Sequence, residues 1–316
     1  MAKSFDTITF KYQNKVIDNL GFSITLILIL IVIGSILSLL MSGFGHSTSF
    51  LSNREIFEIV KFTIIQSTIS VLISLFLGVF VAKILISIKS RSLKIIFLSF
   101  SSVAFVIPTV VAGIGIIKVW GGNGLLNYIE FIFGFGDKEL VVFGLFGILL
   151  AHVFFNAPLF LRVFYSCLDS IPENYLKNSK QFNLKGFYYF KLIEWPFIKQ
   201  ILPLICGIVF LQCFTSFSLI LMLGGGPSAS TLEVAIYTAV RYDFDLNSAA
   251  KLATIQLLIC LIILIILDIF QKNDFSNIQV KTIANKHQTP KRKSFFNHSF
   301  TIILLSVYFI IVFSPL

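Results

Sequence analysis

The sequence contains few charged residues for its length. Asp, Glu, Lys and Arg make up 13% of its 316 residues, whereas 56% are hydrophobic, and the mean hydropathy is +0.91. A soluble protein could not bury that much apolar surface, so the composition predicts an all-α, polytopic transmembrane helical bundle. The formal net charge of +10 comes from short polar segments, which indicates membrane topology rather than nucleic-acid binding.

The sequence also lacks the usual motifs of enzymatic chemistry. It has no GxxxxGK phosphate loop, no HExxH, no GxSxG and no cluster of carboxylates inside an apolar run. These absences argue against an ATP site and a membrane-embedded enzyme, and we expect no cofactor. The four cysteines form no CxxC pair, so we interpret them as small packing residues, not metal ligands or disulfides: Cys167, Cys206, Cys213 and Cys260.

Six apolar runs are long enough to cross a bilayer, and a seventh begins near the C-terminus. The first run is too long for a signal peptide, and no clean cleavage site follows it, so we expect an uncleaved span. The predicted spans are Leu20–Met41, Ile59–Val81, Ile95–Ile117, Leu140–Phe164, Ile201–Leu223, Ala250–Phe270 and the seventh run Phe300–Leu316.

The charges between these runs predict the orientation. The N-terminus, the loop Lys83–Lys94, the segment Arg162–Lys199 and the chain after Phe270 all lean positive, so they are expected in the cytoplasm. The alternate loops carry acidic residues and are expected outside; these residues are Glu130, Asp137, Glu139, Glu233, Asp243 and Asp245.

The longest polar interruption, which we call the basic segment, runs from Arg162 to Pro203. Pro172 fits the first turn of a helix, and Asn183 fits a left-handed helix end. Between them, one stripe at i, i+3 and i+6 holds Leu176, Ser179 and Phe182. A second amphipathic piece, Phe187 to Ile193, is expected to end at Trp195 and Pro196. The pattern predicts a short surface helix held at the membrane by two spans.

A second polar segment, Gly224 to Ala250, follows the fifth run. Three glycines and a proline predict an irregular exit from that span: Gly224, Gly225, Gly226 and Pro227. Ser230 and Thr231, followed by Glu233, predict the start of a short outer helix, which also carries Tyr237.

Inside the fourth run, His152 and Asn156 lie one helical turn apart. One interpretation places them along a substrate path through the membrane. The other, which we favour, is hydrogen bonding between helices.

The basic segment resembles the cytoplasmic coupling loop of ABC-importer permeases, whose pattern is Glu-Ala-Ala, three residues, Gly, nine residues and Ile-x-Leu-Pro. Here the triplet falls on Lys177, Asn178 and Ser179, and the Gly on Asn183. The closing element falls on Ile193 to Pro196. GGGP, TLE-x-AIY, IPTVVAGIGI, LLAHVFFNAPL and LIEWPFIKQILP are similar to the permeases of the bacterial thiamine transport system.

This resemblance implies a type I ABC importer permease in the bacterial inner membrane. Its expected partners are a cytoplasmic ABC ATPase subunit, with Leu176 and Phe182 filling its cleft, and a periplasmic thiamine-binding protein. The expected substrate is thiamine or its phosphates. The ferric-iron permeases of the same architecture and an inactive truncated remnant remain alternatives.

The family fuses two six-span halves, and the resemblance covers 20–316, so we expect a chain that stops soon after the first half. The predicted organisation is an N-terminal cytoplasmic segment, first span and outer loop (1–55) and a permease domain (56–271). A basic cytoplasmic linker (272–298) and the first span of an incomplete second half (299–316) follow.

Overall fold

A computed structural model describes residues 22–39, 41, 51–88, 90–122, 124, 143–224, 226, 229–275, 305, 306, 308 and 309, with only the backbone of 271–275. All regular structure in these ranges is helical, which confirms the predicted fold class. The helices are α1 Phe22–Leu39, α2 Asn53–Ser87, α3 Arg91–Ser101, α4 Val103–Val106, α5 Thr109–Trp120, α6 Leu145–Asp169, α7 Glu173–Gln181, α8 Gly186–Tyr189, α9 Trp195–Phe214, α10 Ser218–Leu223, α11 Leu232–Arg241 and α12 Leu246–Phe275.

Five helical stretches in the described residues are long and apolar enough to cross a membrane, or six if one bent pair counts as a span. The predicted first, second, fourth and sixth spans correspond to α1, α2, α6 and α12. Helix α2 has 35 residues, about 52 Å at 1.5 Å per residue, which exceeds the hydrocarbon thickness of a bilayer. The predicted loop Lys83–Lys94 was wrong at both ends, because α2 continues to Ser87 and α3 begins at Arg91.

The predicted third span is not a single helix. Arg91–Phe105 and Thr109–Trp120 meet at an angle of 106°. Ile107 is extended, with φ −73° and ψ 129°, and Pro108 caps the second helix. A proline disfavours helical geometry in the residue before it, so the chain turns at this point.

The predicted fifth span, Ile201–Leu223, was wrong at both ends. Helix α9 begins at Trp195 and ends at Phe214, and α10 covers Ser218–Leu223. The N–H and the hydroxyl of Thr215 both donate to the carbonyl of Leu211, each at 2.9 Å. This carbonyl of the last turn is thus satisfied where the helix stops.

The chain divides into two compact units, Met1–Ser52 with Ile236–Leu257, and Asn53–Ala235 with Leu258–Leu316. In the first, the hydroxyl of Thr254 donates to the carbonyl of Leu39 at 3.5 Å. In the second, α2 packs closely against α6. A Cβ at Gly78 would overlap Cβ of Phe160 and lie 2.9 Å from N of Leu161, so this crossing requires a residue without a side chain.

Several predicted regions lie wholly or mostly outside the described residues. They are the 1–19 segment, the loop that carries Glu130, Asp137 and Glu139, the linker 272–298, the seventh run, and the two positions Gly225 and Pro227.

Candidate functional site

The basic segment contains the predicted short helix. Helix α7 begins at Glu173, directly after Pro172, and the backbone of Asn183 is left-handed with φ 48°. The N–H of Leu184 donates to the carbonyl of Ser179 at 2.9 Å, and that of Asn183 to Lys180 at 3.1 Å. These two bonds form a Schellman motif, so Asn183 ends the helix as its residue type predicts.

The predicted stripe of α7 divides between the interior and the surface. Leu176 is 7% exposed and belongs to the hydrophobic core of the protein, and Ser179 is buried beside it. Phe182 is 74% exposed. The expectation that Leu176 and Phe182 share one partner-facing surface is therefore wrong for Leu176, whose side chain packs against its own chain.

After the turn, α8 continues through a π-helical turn, Phe190–Glu194, directly into α9. The predicted end of this piece at Trp195 and Pro196 was wrong. The N–H of Trp195 donates to the carbonyl of Phe190, five residues earlier. Pro196, which has no N–H to donate, is the next residue and lies in the first turn of α9. The extra residue of the π turn lets the helix continue past the proline.

Aromatic and basic side chains share the exposed part of this segment, which we call the aromatic–lysine surface. Its large apolar members are Phe182, Phe187, Tyr188 and Leu192, and its cations are Lys177, Lys180, Lys185 and Lys191. Lys177 pairs with Glu173 within α7 at 3.1 Å. This part of the chain therefore exposes large apolar side chains and positive charge together.

The π turn is attached to α2 through an ion pair. Nζ of Lys83 lies 3.2 Å from Oε2 of Glu194, and the side chains are 39% and 6% exposed. The same ammonium lies 4.2 Å from the ring centroid of Phe190. Sequence reasoning missed this contact because Lys83 was placed in a loop. The remaining members of the closing element are buried at Ile193 and exposed at Trp195 and Pro196.

His152 and Asn156 belong to a buried polar cluster that we call the polar core. Nδ1 of His152 lies 2.9 Å from Oγ of Ser70, and the amide of Asn156 donates to Sγ of Cys213 at 3.1 Å. Gln66 donates to the carbonyl of Cys213 at 3.2 Å. The cluster joins α2, α6 and α9, as the favoured interpretation of interhelical hydrogen bonding predicts.

Gln66 and Ser70 were not predicted as members of the polar core. The signal was present, since Gln66, Ser70 and Ser74 recur every four residues within the apolar run of α2. Four buried polar atoms here have no hydrogen-bond partner in the described part of the chain: Gln66 Oε1, Ser74 Oγ, His152 Nε2 and Asn156 Oδ1. The core thus retains hydrogen-bonding capacity inside the second unit.

The second polar segment, Gly224 to Ala250, contains the predicted helix, α11, which begins at Leu232 with Glu233 in its first turn. The N–H of Leu232 donates to Oγ1 of Thr63, in the N-terminal third of α2, at 3.0 Å. Gly226 has φ 118°, consistent with the predicted irregular exit. The rings of Tyr237 and Tyr242 lie 5.9 Å apart in an edge-to-face arrangement.

Between α11 and α12, Asp245 acts as a helix cap that sequence analysis had interpreted only as an outer charge. Its Oδ1 accepts the N–H groups of Asn247 and Ser248, each at 3.1 Å, and its Oδ2 accepts the hydroxyl of Ser248. The carboxylate therefore fixes the start of α12.

Among the described residues, no group of three or more His, Cys, Asp or Glu side chains is placed to hold a metal ion.

A family model described as "Binding-protein-dependent transport system inner membrane component" matches residues 74–273. The chain is 32% identical over 285 residues to the thiamine transport system permease protein of Brucella abortus, covering 90% of this chain and 52% of that protein.

The corresponding protein of Haemophilus influenzae is 36% identical over 259 residues, covering 82% of this chain and 47% of that protein. The chain therefore spans about half the length of these curated relatives. Its fold matches a bacterial alginate ABC transporter crystallised with an alginate pentasaccharide-bound periplasmic protein. The TM-score is 0.69 at 15% identity, and the match covers 81% of this chain and 95% of the other.

Proposed function

Because the chain belongs to the family of binding-protein-dependent transport system inner membrane components, we propose that it forms part of the translocation path of an ATP-driven thiamine importer. The assignment of thiamine as the substrate rests on the similarity to thiamine permeases over 90% of the chain. Thiamine is a cation, and aromatic side chains attract cations through their ring faces. A chain with 36 Phe residues can offer such surroundings along its path.

In this proposal the aromatic–lysine surface binds a cytoplasmic ATPase subunit. That subunit binds and hydrolyses ATP, since this sequence contains no phosphate loop. Phe182 is the central anchor, because it is 74% exposed and stands at a helix end fixed by the Schellman motif. The lysines around it favour an acidic rim on the partner. With this surface in the cytoplasm, α11 faces the periplasm, where a thiamine-binding protein would deliver the substrate.

Uptake of radiolabelled thiamine tests the substrate directly. Cells that lack their own thiamine permease, given this chain with its ATPase and binding-protein partners, should accumulate thiamine in an energy-dependent manner. Unlabelled thiamine should compete, and ferric iron should not. Thiamine uptake at the background level, with ATP-dependent iron uptake in the same cells, would contradict the proposal.

Phe182→Asp tests the docking surface. The substitution places a negative charge where we expect an apolar pocket with an acidic rim, so copurification with the ATPase and thiamine uptake should both fall at least about tenfold. Membrane insertion should be unchanged, because the side chain is exposed. Phe182→Leu is the matched control and should retain most activity. Normal uptake by Phe182→Asp would remove the docking assignment.

A further inference from the structure

The ion pair between Lys83 and Glu194 differs in setting from two other ion pairs in the described residues. Lys61–Glu58 and Lys177–Glu173 are local pairs within one helix, and all four side chains are at least 40% exposed. Lys83–Glu194 joins two elements far apart in sequence, and the carboxylate is only 6% exposed. A buried carboxylate that loses its partner is strongly unfavourable, so this contact constrains where the π turn can lie.

The ammonium of Lys83 makes a second contact to the same turn, with the ring of Phe190 at 4.2 Å. The π turn is therefore held to α2 at its first and last residues, Phe190 and Glu194. Its outward side carries Leu192, and α8 before it carries Phe187 and Tyr188, all exposed. The pair thus fixes one edge of the aromatic–lysine surface to the longest described membrane helix.

Helix α2 extends the connection across the membrane. It contributes Gln66 and Ser70 to the polar core, and Thr63, in its N-terminal third, accepts the N–H of Leu232 in α11. Lys83 and Thr63 are about 30 Å apart along the helix. Helix α2 has no break between these two contacts, so it provides one continuous element between the π turn and the start of α11.

We propose that Glu194 is a positioning residue: its ion pair with Lys83 couples the aromatic–lysine surface to α2, so that the ATPase and the outer segment act on the same helix. This inference rests on the proposed function. It predicts that breaking the pair leaves the ATPase bound but disconnects ATP hydrolysis from the binding protein.

The experiment compares Lys83→Met, Glu194→Gln, the double variant and Lys83→Arg in the assembled transporter, with Lys61→Met as the control for an exposed pair. Lys83→Met leaves a buried carboxylate unpaired and should lower thiamine uptake at least about tenfold. Glu194→Gln should be milder, because Lys83 is 39% exposed and can be hydrated. The double variant should resemble Glu194→Gln, while Lys83→Arg and Lys61→Met should resemble the wild type.

A second readout separates positioning from general destabilisation. In Lys83→Met the ATPase should still copurify and hydrolyse ATP, but the binding protein should no longer stimulate the rate. Two results would overturn the inference. One is a fold-loss of thiamine uptake in the double variant that equals the product of the fold-losses in the two single variants. The other is wild-type stimulation of ATP hydrolysis by the binding protein in Lys83→Met. If the Lys83→Met protein does not accumulate in the membrane, Glu194→Gln replaces it as the test. Unchanged stimulation of ATP hydrolysis in Glu194→Gln, at wild-type abundance of the protein, then overturns the inference. Absence of uptake in the wild type would instead refute the proposed function.

Discussion

At the crossing of α2 and α6, Gly78 leaves no room for a side chain. We expect Gly78→Ala to lower the free energy of unfolding by about 1–3 kcal/mol, because its Cβ would overlap Phe160. Thermal unfolding of the purified chain in detergent measures the effect. Gly34→Ala is the control, since nothing lies within 4 Å of its added Cβ. Equal behaviour of the two variants would show that the close approach is not needed.

The helix cap at Asp245 leads to a second prediction about a single side chain. Asp245→Ala removes the acceptor for the N–H groups of Asn247 and Ser248, so the free energy of unfolding should fall by about 0.5–2 kcal/mol. Asp245→Asn retains a capping oxygen and should recover most of the loss. Asp243→Ala, at an exposed position two residues earlier, is the charge control. A loss as large in Asp243→Ala would indicate a charge effect rather than a cap.

Side-chain roles in the candidate site were only partly predictable. The residue type of Asn183 was sufficient to predict its left-handed conformation, because few other residues tolerate it. Leu176 and Phe182 fall on one stripe of the helical pattern, yet the first is buried and the second exposed. Periodicity identifies a face of a helix, but it does not reveal where along that face the neighbouring helices stop covering it.

Helix α7 depends on its end at Asn183, where φ is 48°. Asn183→Gly should leave stability unchanged or raise it, whereas Asn183→Val should destabilise the turn by about 1–2 kcal/mol because of its branched Cβ. Hydrogen exchange of the α7 amides checks this locally. Asn178→Ala, inside the same helix, should be neutral or slightly stabilising. Faster exchange in Asn183→Gly than in Asn183→Val would contradict the assignment.

The existence and type of the membrane helices were predictable from hydropathy, but their ends were not. Lys83 marks the end of the apolar run in the sequence, yet α2 continues to Ser87 and the charge is paired with Glu194. That partner lies in another element, so no local pattern reveals it. Pro108 was visible in the third run, but the extended conformation of Ile107 turns a tolerated kink into a change of direction of 106°.

In the proposed function, the aromatic–lysine surface and the start of α11 lie on opposite sides of the membrane. The basic loops on the one side and the acidic residues on the other support this orientation. Helix α2 contacts both regions, because its Lys83 pairs with Glu194 and its Thr63 accepts the N–H of Leu232.

Thiol labelling at position 182 tests the central claim most directly. A membrane-impermeant maleimide should label the Phe182→Cys variant in inside-out vesicles. In intact cells, labelling of this variant should not exceed that of the parent chain, which carries four cysteines of its own. Adding the ATPase subunit should protect position 182 from the reagent. Labelling of position 182 in intact cells, or labelling that the ATPase does not reduce, would contradict a cytoplasmic coupling surface.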